Sequence, residues 1–72
     1  MKAAEFDAIA VLISSREPTK SAARRVLVDG IAPADAAREY DLLPQSVSNT
    51  LRRFRNAEDT ILAAYSPKRN SA

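Results

Sequence analysis

Three prolines divide the first 65 residues of this chain into short segments whose apolar residues recur at the spacing of a helix. Proline fits the first turn of an α-helix but disrupts its interior, so Pro18, Pro33 and Pro44 mark places where helices begin. In the first segment, Phe6 and Ile9 start an apolar stripe at three- and four-residue intervals. A chain of 72 residues supports one hydrophobic core. The sequence therefore predicts an all-α fold, a small bundle of four to five helices.

The boundaries of the helices follow from the residues that flank them. The predicted spans are 4–14, 19–29, 34–40 and 44–65, where the last helix either is continuous or breaks at Asn56 and restarts. Thr19 or Ser21 is expected to cap the second helix, because a hydroxyl oxygen accepts a hydrogen bond from the first turn. Gly30 is expected to end it, because glycine adopts left-handed backbone angles without strain. Residues 1–65 are expected to form one domain, followed by a polar tail, 66–72.

Missing residue types exclude several classes of function. The chain contains no cysteine and no histidine, which removes disulfide bonds, thiolate or imidazole metal ligands and the commonest catalytic side chains. A single glycine is too few for a phosphate-binding loop. We therefore expect no metal, no cofactor and no enzymatic activity. The longest apolar stretch, 8–13, is too short to cross a bilayer and no secretory signal is evident, so a cytoplasmic protein is expected.

The third and fourth helices have the spacing of a helix-turn-helix. In that motif two short helices are joined by a tight turn, and the second helix lies in the DNA major groove. Ala36 and Ala37 are small enough for the two helices to approach closely, while Leu42 and Val47 are expected to be buried. Asp41 stands in the turn where many such motifs have glycine, and aspartate tolerates left-handed angles better than most residues. An ordinary helical core without DNA contact is the alternative, because surface helices are polar by default.

Polar and basic side chains on the outer face of the fourth helix are the candidate contacts to DNA. The outward residues are Gln45, Ser46, Asn49 and Arg53. Of these, Gln45, Asn49 and Arg53 recur every four residues and are predicted to contact bases. The predicted phosphate contacts are Ser46, Ser48, Arg52 and Arg55. Residues 1–41 carry a net charge of −1 and residues 42–72 a net charge of +3, so the half that contains these contacts attracts polyanions.

Several short motifs in the first 55 residues are shared with one family of bacterial proteins. They are Ala23-Arg24, Val26-Leu27-Val28-Asp29-Gly30, Ser46-Val47-Ser48 and Arg53, with Phe6, Ala8 and Ile9 matching the first helix without a gap. With these motifs the chain resembles the TrfB/KorA family of plasmid-borne transcriptional repressors over most of residues 6–55. The resemblance implies an all-helical domain that docks as a dimer on palindromic operators. It also implies base contacts from Asn49 and Arg53, with asparagine in place of the family's glutamine.

The segment after Asn56 is the candidate contact of a dimer. Better-known members of that family continue into a separate dimerisation region, for which only residues 56–72 remain here. The predicted buried stripe of the fourth helix consists of Val47, Leu51 and Phe54, and the apolar residues that extend it are Ala57, Ile61, Leu62 and Tyr65. We expect them either to form a homodimer contact or to close the small core over the first helix. A dimer is favoured because one recognition helix reads only a few base pairs.

These features predict a transcriptional repressor that binds a palindromic operator in double-stranded DNA as a homodimer. Two other functions stay open at this point. One is an architectural, excisionase-like DNA-binding factor, which an inserted apolar wedge or a strongly basic arm would favour, and neither is evident. The other is a small protein-interaction module of the antitoxin or anti-repressor kind, which would use Ile61, Leu62 and Tyr65 to bind a partner helix. Neither a membrane nor a small-molecule substrate is expected as a partner.

Overall fold

The computed structural model describes residues 1–64, which form four α-helices and no strand. The helices are α1 (Ala3–Leu12), α2 (Thr19–Leu27), α3 (Pro33–Glu39) and α4 (Pro44–Ala64). The expected all-α fold, a small helical bundle, is confirmed for this part of the chain. Helix α4 is continuous through Asn56, so no fifth helix forms there. Tyr65 and the predicted tail, 66–72, lie outside the described residues.

The first helix ends two residues earlier than its predicted end at Ser14. Ser14 adopts a left-handed backbone with φ 53°. Its N–H group donates to the carbonyl of Val11 at 3.2 Å, and the N–H group of Ser15 donates to the carbonyl of Ala10 at 2.9 Å. These two hydrogen bonds are the Schellman arrangement that closes many helix ends. The carbonyl of Ile13, the C-cap residue of α1, takes no part in them.

The start of α2 is capped by a residue that the sequence analysis did not select. The N-cap is Pro18, and neither Thr19 nor Ser21 supplies a capping side chain, so that prediction is wrong. Glu17 does so instead, because its longer side chain reaches past the proline: Oε1 accepts from the backbone N–H of Ser21 at 3.0 Å and from its hydroxyl at 2.6 Å. The hydrogen bonds from Ser21 hold the pKa of Glu17 below its ordinary value.

The C-terminal end of α2 contains the one glycine of the chain. Gly30 adopts φ 80°, which confirms the expected left-handed residue, and its N–H group donates to the carbonyl of Val26 at 3.2 Å. The helix itself ends at Leu27, earlier than predicted. The reason is that the hydrogen bonds depart from the helical pattern, in which each N–H group donates to the carbonyl four residues back. The N–H group of Asp29 donates to the carbonyl of Arg24, five residues back, and that of Ile31 donates to the carbonyl of Arg25, six residues back.

Two stacked phenylalanines join α1 to α4 in the middle of the core. The rings of Phe6 and Phe54 are within 7° of parallel, their centroids are 4.5 Å apart, and both side chains are inaccessible to solvent. Between α2 and α3 the core consists of small side chains that let the helices approach closely: Ala22, Ala23, Ala36 and Ala37. Val47 of α4 is fully buried, as predicted, and the half-buried Leu42 packs against the same core.

The turn from α3 to α4 closes in the same way as the end of α1. Asp41 has φ 56°, so it adopts the left-handed conformation that the sequence analysis expected an aspartate to tolerate. Its N–H group donates to the carbonyl of Arg38 at 3.3 Å, and the N–H group of Leu42 donates to that of Ala37 at 2.8 Å. The next helix begins at Pro44. Proline fits this position because the first N–H groups of a helix have no acceptor within the helix, so the N–H that proline lacks costs no hydrogen bond. The turn therefore sets the direction in which α4 leaves α3.

Ion pairs connect the first three helices on their outer surfaces. Arg25 of α2 contacts Glu39 of α3 through Nε and Oε1 at 2.9 Å, and also contacts Asp29 at 2.9 Å. Arg24 pairs with Asp7 of α1 at 2.9 Å. The guanidinium of Arg25 holds the pKa of Glu39 below its ordinary value. This pair links α2 to α3 close to the turn that directs α4.

Replacing Glu39 by glutamine should lower thermal stability at neutral pH and have little effect in acid. Because the pKa of Glu39 is lower in the folded protein than the ordinary value of 4.5, its contribution is complete above that pH. The contribution is lost as the pH falls through the lower folded value. Thermal melts followed by circular dichroism from neutral pH to about pH 3 should therefore converge for the two proteins. Glu58→Gln is the control, since no ion pair of residues 1–64 includes Glu58.

Candidate nucleic-acid interface

The first half of α4 presents most of the predicted contact residues to solvent. Those that are exposed are Gln45, Ser48, Asn49, Arg52, Arg53 and Arg55. Ser46 differs from the prediction, because it is half-buried. It lies only about 90° around the helix from the middle of the buried stripe, so the neighbouring core partly covers it. The structure thus brings every predicted contact except Ser46 to the exposed side of one helix.

The exposed residues differ in how directly they point away from the core. The buried side chains of α4 are Val47, Thr50, Leu51 and Phe54. Each residue turns the helix by about 100°, so Gln45, Asn49 and Arg52 lie about 150° or more from the middle of that stripe. Arg53 lies about 110° from it, on the opposite side of the helix from Arg52. Consequently Arg53 borders a cleft with α1, whereas Arg52 borders a cleft that reaches the start of α3.

Arg53 is bound to the end of α1. Its Nη2 atom donates to the carbonyl oxygen of Ile13 at 2.7 Å. This carbonyl belongs to the C-cap residue of α1, and α1 has no basic residue in its own last turn. The guanidinium therefore lies at the negative end of the helix dipole, where a positive charge is stabilising. No sequence pattern indicates this contact, because 40 residues separate its two partners.

The arginines of α4 also differ from those of α2 and α3 in their electrostatic surroundings. Each arginine of α2 and α3 forms an ion pair with a carboxylate. Within residues 1–64, no carboxylate lies within ion-pair distance of Arg52, Arg53 or Arg55. Residues 42–57 contain no acidic side chain at all. Within residues 1–64, no ion pair offsets the positive charge on the first half of α4, which suits a surface that meets a polyanion.

The structure divides the residues that were predicted as a dimer contact. Ala57 and Ile61 are half-buried and pack against the core, which is the alternative role considered for them. Leu62 is 54% exposed, and Tyr65 lies outside the described residues. Among the described residues of that predicted contact, Leu62 is therefore the one whose side chain is mainly exposed and can meet another molecule.

Helix α1 exposes apolar side chains that the sequence analysis did not select. Val11 is 79% and Leu12 is 68% exposed. The signal was present in the sequence, because six consecutive apolar residues, 8–13, cannot all lie on one face of a helix. Leu12 borders the cleft between α1 and α4, and Leu62 borders a second cleft between the same helices. None of the helices in residues 1–64 combines the length and the hydropathy needed to cross a membrane.

Known proteins supply no further evidence about this site. No protein-family model, curated protein or solved structure matches the chain. The resemblance to the TrfB/KorA repressors therefore stays a prediction that rests on the motifs named above. The candidate interface rests on its own geometry, which is an exposed polar face on a helix that follows a tight turn, with arginines that form no ion pair within residues 1–64.

Proposed function

We propose that this protein is a sequence-specific DNA-binding protein of the helix-turn-helix type and acts as a transcriptional repressor. In this proposal α4 enters the major groove, which is wide enough for one helix, and α3 lies across the DNA backbone. Gln45 and Asn49 contact bases together with an arginine of α4, which is Arg53 by the family resemblance. Such a repressor works in the cytoplasm, where bacterial DNA is accessible.

The phosphate contacts of the proposal come from the flanks and the start of α4. Arg52 and Arg55 are the cationic candidates, and the hydroxyls of Ser46 and Ser48 add neutral donors. The N–H groups of the first turn also point toward an anion bound there. These contacts fix the orientation of the helix and leave base recognition to the residues that point away from the core.

The observation that carries this proposal is the charge of the exposed face of α4. Its arginines have no carboxylate within ion-pair distance, although the arginines of α2 and α3 are all paired. An exposed helix that serves only as surface usually intersperses both signs of charge, and residues 42–57 do not. Gln45 and Asn49 on the outermost line add side-chain amides, which can pair with the edge of adenine.

The protein acts as a homodimer in this proposal. One α4 contacts too few base pairs to distinguish an operator from the rest of a genome. In a symmetric dimer the two recognition helices lie about 34 Å apart and enter successive major grooves. The exposed apolar residues Leu12 and Leu62 border clefts between the neighbouring helices α1 and α4, and in this proposal a second copy covers them.

Selection of bound fragments from random duplex DNA tests the function directly. The expected result is enrichment of an inverted repeat whose half-sites are centred about 10 base pairs apart. Binding to all DNA without enrichment would favour the architectural alternative. The same apolar residues of α1 and α4 favour a protein-interaction module as the second candidate, and failure to bind DNA at any salt concentration would support that function.

Replacing Leu62 by glutamate should weaken the homodimer without unfolding the protomer. Leu62 is more than half exposed, so a charge there costs little in the monomer, but it would be buried without a partner at an apolar contact. Loss of a buried leucine contact costs about 1.5–3 kcal/mol, which predicts a rise of at least tenfold in the dimer dissociation constant. Sedimentation equilibrium and circular dichroism measure the two effects separately.

Ile61→Glu is the matched comparison, because Ile61 packs against the core. Ile61→Glu should lower the melting temperature of the protomer, because a charge would replace part of the protomer's own packing. The dimer dissociation constant should rise as well, because the protomer itself is destabilised. A wild-type protein that is monomeric at tens of micromolar, or a Leu62→Glu variant that dimerises as well as the wild type, would contradict the dimer contact proposed here.

A further inference from the structure

The two adjacent arginines on α4 have different surroundings, and this difference assigns them different roles. Arg53 donates a hydrogen bond to Ile13 of α1, while the hydrogen bonds and ion pairs of residues 1–64 do not include the side chain of Arg52. We infer that Arg52 is the arginine that reads a base, and that Arg53 is a positioning residue that holds α4 against α1. This inference rests on the proposed function, and it exchanges the roles that the sequence analysis assigned to these two residues.

The direction in which each side chain leaves the helix supports this assignment. A helix has 3.6 residues per turn, so a line of side chains that stays on one face advances by four residues and then by three. Gln45, Asn49 and Arg52 follow that order. The line from Gln45 through Asn49 to Arg53 instead advances by four residues at both steps. Each step of four residues rotates the side chain by about 40° around the helix axis, so Arg53 no longer lies on the same face as Gln45. The middle of a groove-facing surface is therefore occupied by Arg52, and Arg53 lies at its edge.

The hydrogen bond of Arg53 is suited to holding two helices together. The Schellman bonds at the end of α1 occupy the carbonyls of Ala10 and Val11 and leave that of Ile13 unpaired within the helix. Arg53 supplies both the missing donor and the positive charge that the end of α1 lacks. The contact lies next to the stacked Phe54 along α4, so it extends the attachment of α4 to α1 beyond the apolar core.

The contact with Ile13 occupies one of the two guanidinium edges with which Arg53 could read guanine. A specific arginine contact to guanine is bidentate and uses two parallel N–H groups of one guanidinium edge. One of the Nη groups of Arg53 is already directed at Ile13. Arg52 has no such engagement in residues 1–64, and its whole guanidinium is available.

The experiment compares the same conservative change at both positions, Arg52→Lys and Arg53→Lys. Lysine keeps the positive charge and can donate to a phosphate or to one carbonyl, but it lacks the rigid, parallel pair of N–H groups with which a guanidinium contacts guanine. Fluorescence anisotropy would measure binding of the complete chain to the duplex recovered by selection and to the same duplex with one base pair changed. Arg52→Lys should reduce the ratio of the two affinities by about 5- to 150-fold, and Arg53→Lys should leave it almost unchanged.

Two further measurements separate the proposed roles. Arg52→Ala should leave the salt dependence of specific binding nearly unchanged, whereas loss of a phosphate contact flattens the log–log slope by about 0.9 per contact. Arg53→Ala should lower the melting temperature of the free protein by about 4 °C or more, and Arg53→Lys should restore most of it because lysine still donates to Ile13.

The outcomes distinguish this inference from the proposed function. Lost discrimination in Arg53→Lys, or unchanged discrimination in Arg52→Lys, would overturn the assignment of the base contact. An Arg53→Ala variant that melts with the wild type would overturn the positioning role. If the wild type selects no DNA sequence, the proposed function fails, and the melting experiment still decides whether Arg53 holds α4 to α1.

Discussion

Phe54→Ala should remove a large part of the free energy of unfolding of this protein. The ring of Phe54 is fully buried and stacks on that of Phe6 at 4.5 Å, so its removal leaves a cavity between α1 and α4. Such a truncation costs about 3–5 kcal/mol. A domain of 72 residues has a total stability of roughly 4–11 kcal/mol, so the loss is a large part of it. Urea unfolding followed by circular dichroism measures the change, with the midpoint shifting to much lower denaturant.

Val11→Ala is the control for this prediction. It also removes apolar atoms from a helix of the same bundle, but Val11 is 79% exposed, and surface substitutions stay within about 0.5 kcal/mol. Phe6→Ala should resemble Phe54→Ala, and the double variant should lose less than the sum of the two because the rings contact each other. If Phe54→Ala unfolded at the wild-type midpoint, the stacked pair would not be the centre of the core.

The affinity for DNA should fall by about 10- to 150-fold when salt is raised from 50 to 200 mM. Each phosphate neutralised by a cationic side chain releases counterions and contributes about −0.9 to the slope of log affinity against log salt. If Arg55 of each protomer contacts one phosphate, the dimer makes two such contacts and the slope is about −1.8. If Arg52 of each protomer also contacts a phosphate, the slope is about −3.6. Anisotropy titrations over this range measure the slope.

Arg55→Ala tests which residues produce the salt dependence. It should reduce the steepness by about 1.8 for a dimer and weaken binding to specific and random DNA by similar factors. Arg24→Ala is the comparison, because Arg24 is paired with Asp7 on the surface of α1 and α2 and lies outside the proposed interface. An affinity that stays constant over this range of salt would count against nucleic acid as the partner.

Short-range sequence patterns are sufficient to predict the helices and the residues that separate them. Proline positions and apolar spacing predict four helical segments, and glycine and aspartate predict the left-handed residues at 30 and 41, because these effects depend on a few neighbouring residues. The same local pattern selects Val47 and Phe54 as buried residues of α4. The predicted cap of α2, Thr19 or Ser21, was wrong, because Glu17 reaches past Pro18 and accepts the hydrogen bond from the first turn.

The differences among the exposed residues depend on contacts that form when the four helices pack together. The contact of Arg53 with Ile13 joins residues 40 positions apart, and no periodicity within α4 contains it. The burial of Ile61 and the exposure of Leu12 also depend on tertiary contacts. The packing of α1 against α4 places Ile61 against the core and leaves Leu12 exposed. A helical pattern identifies which side chains share a face, but the neighbour that covers a face is fixed by the arrangement of all four helices, because burial depends on contacts between segments that are distant in sequence.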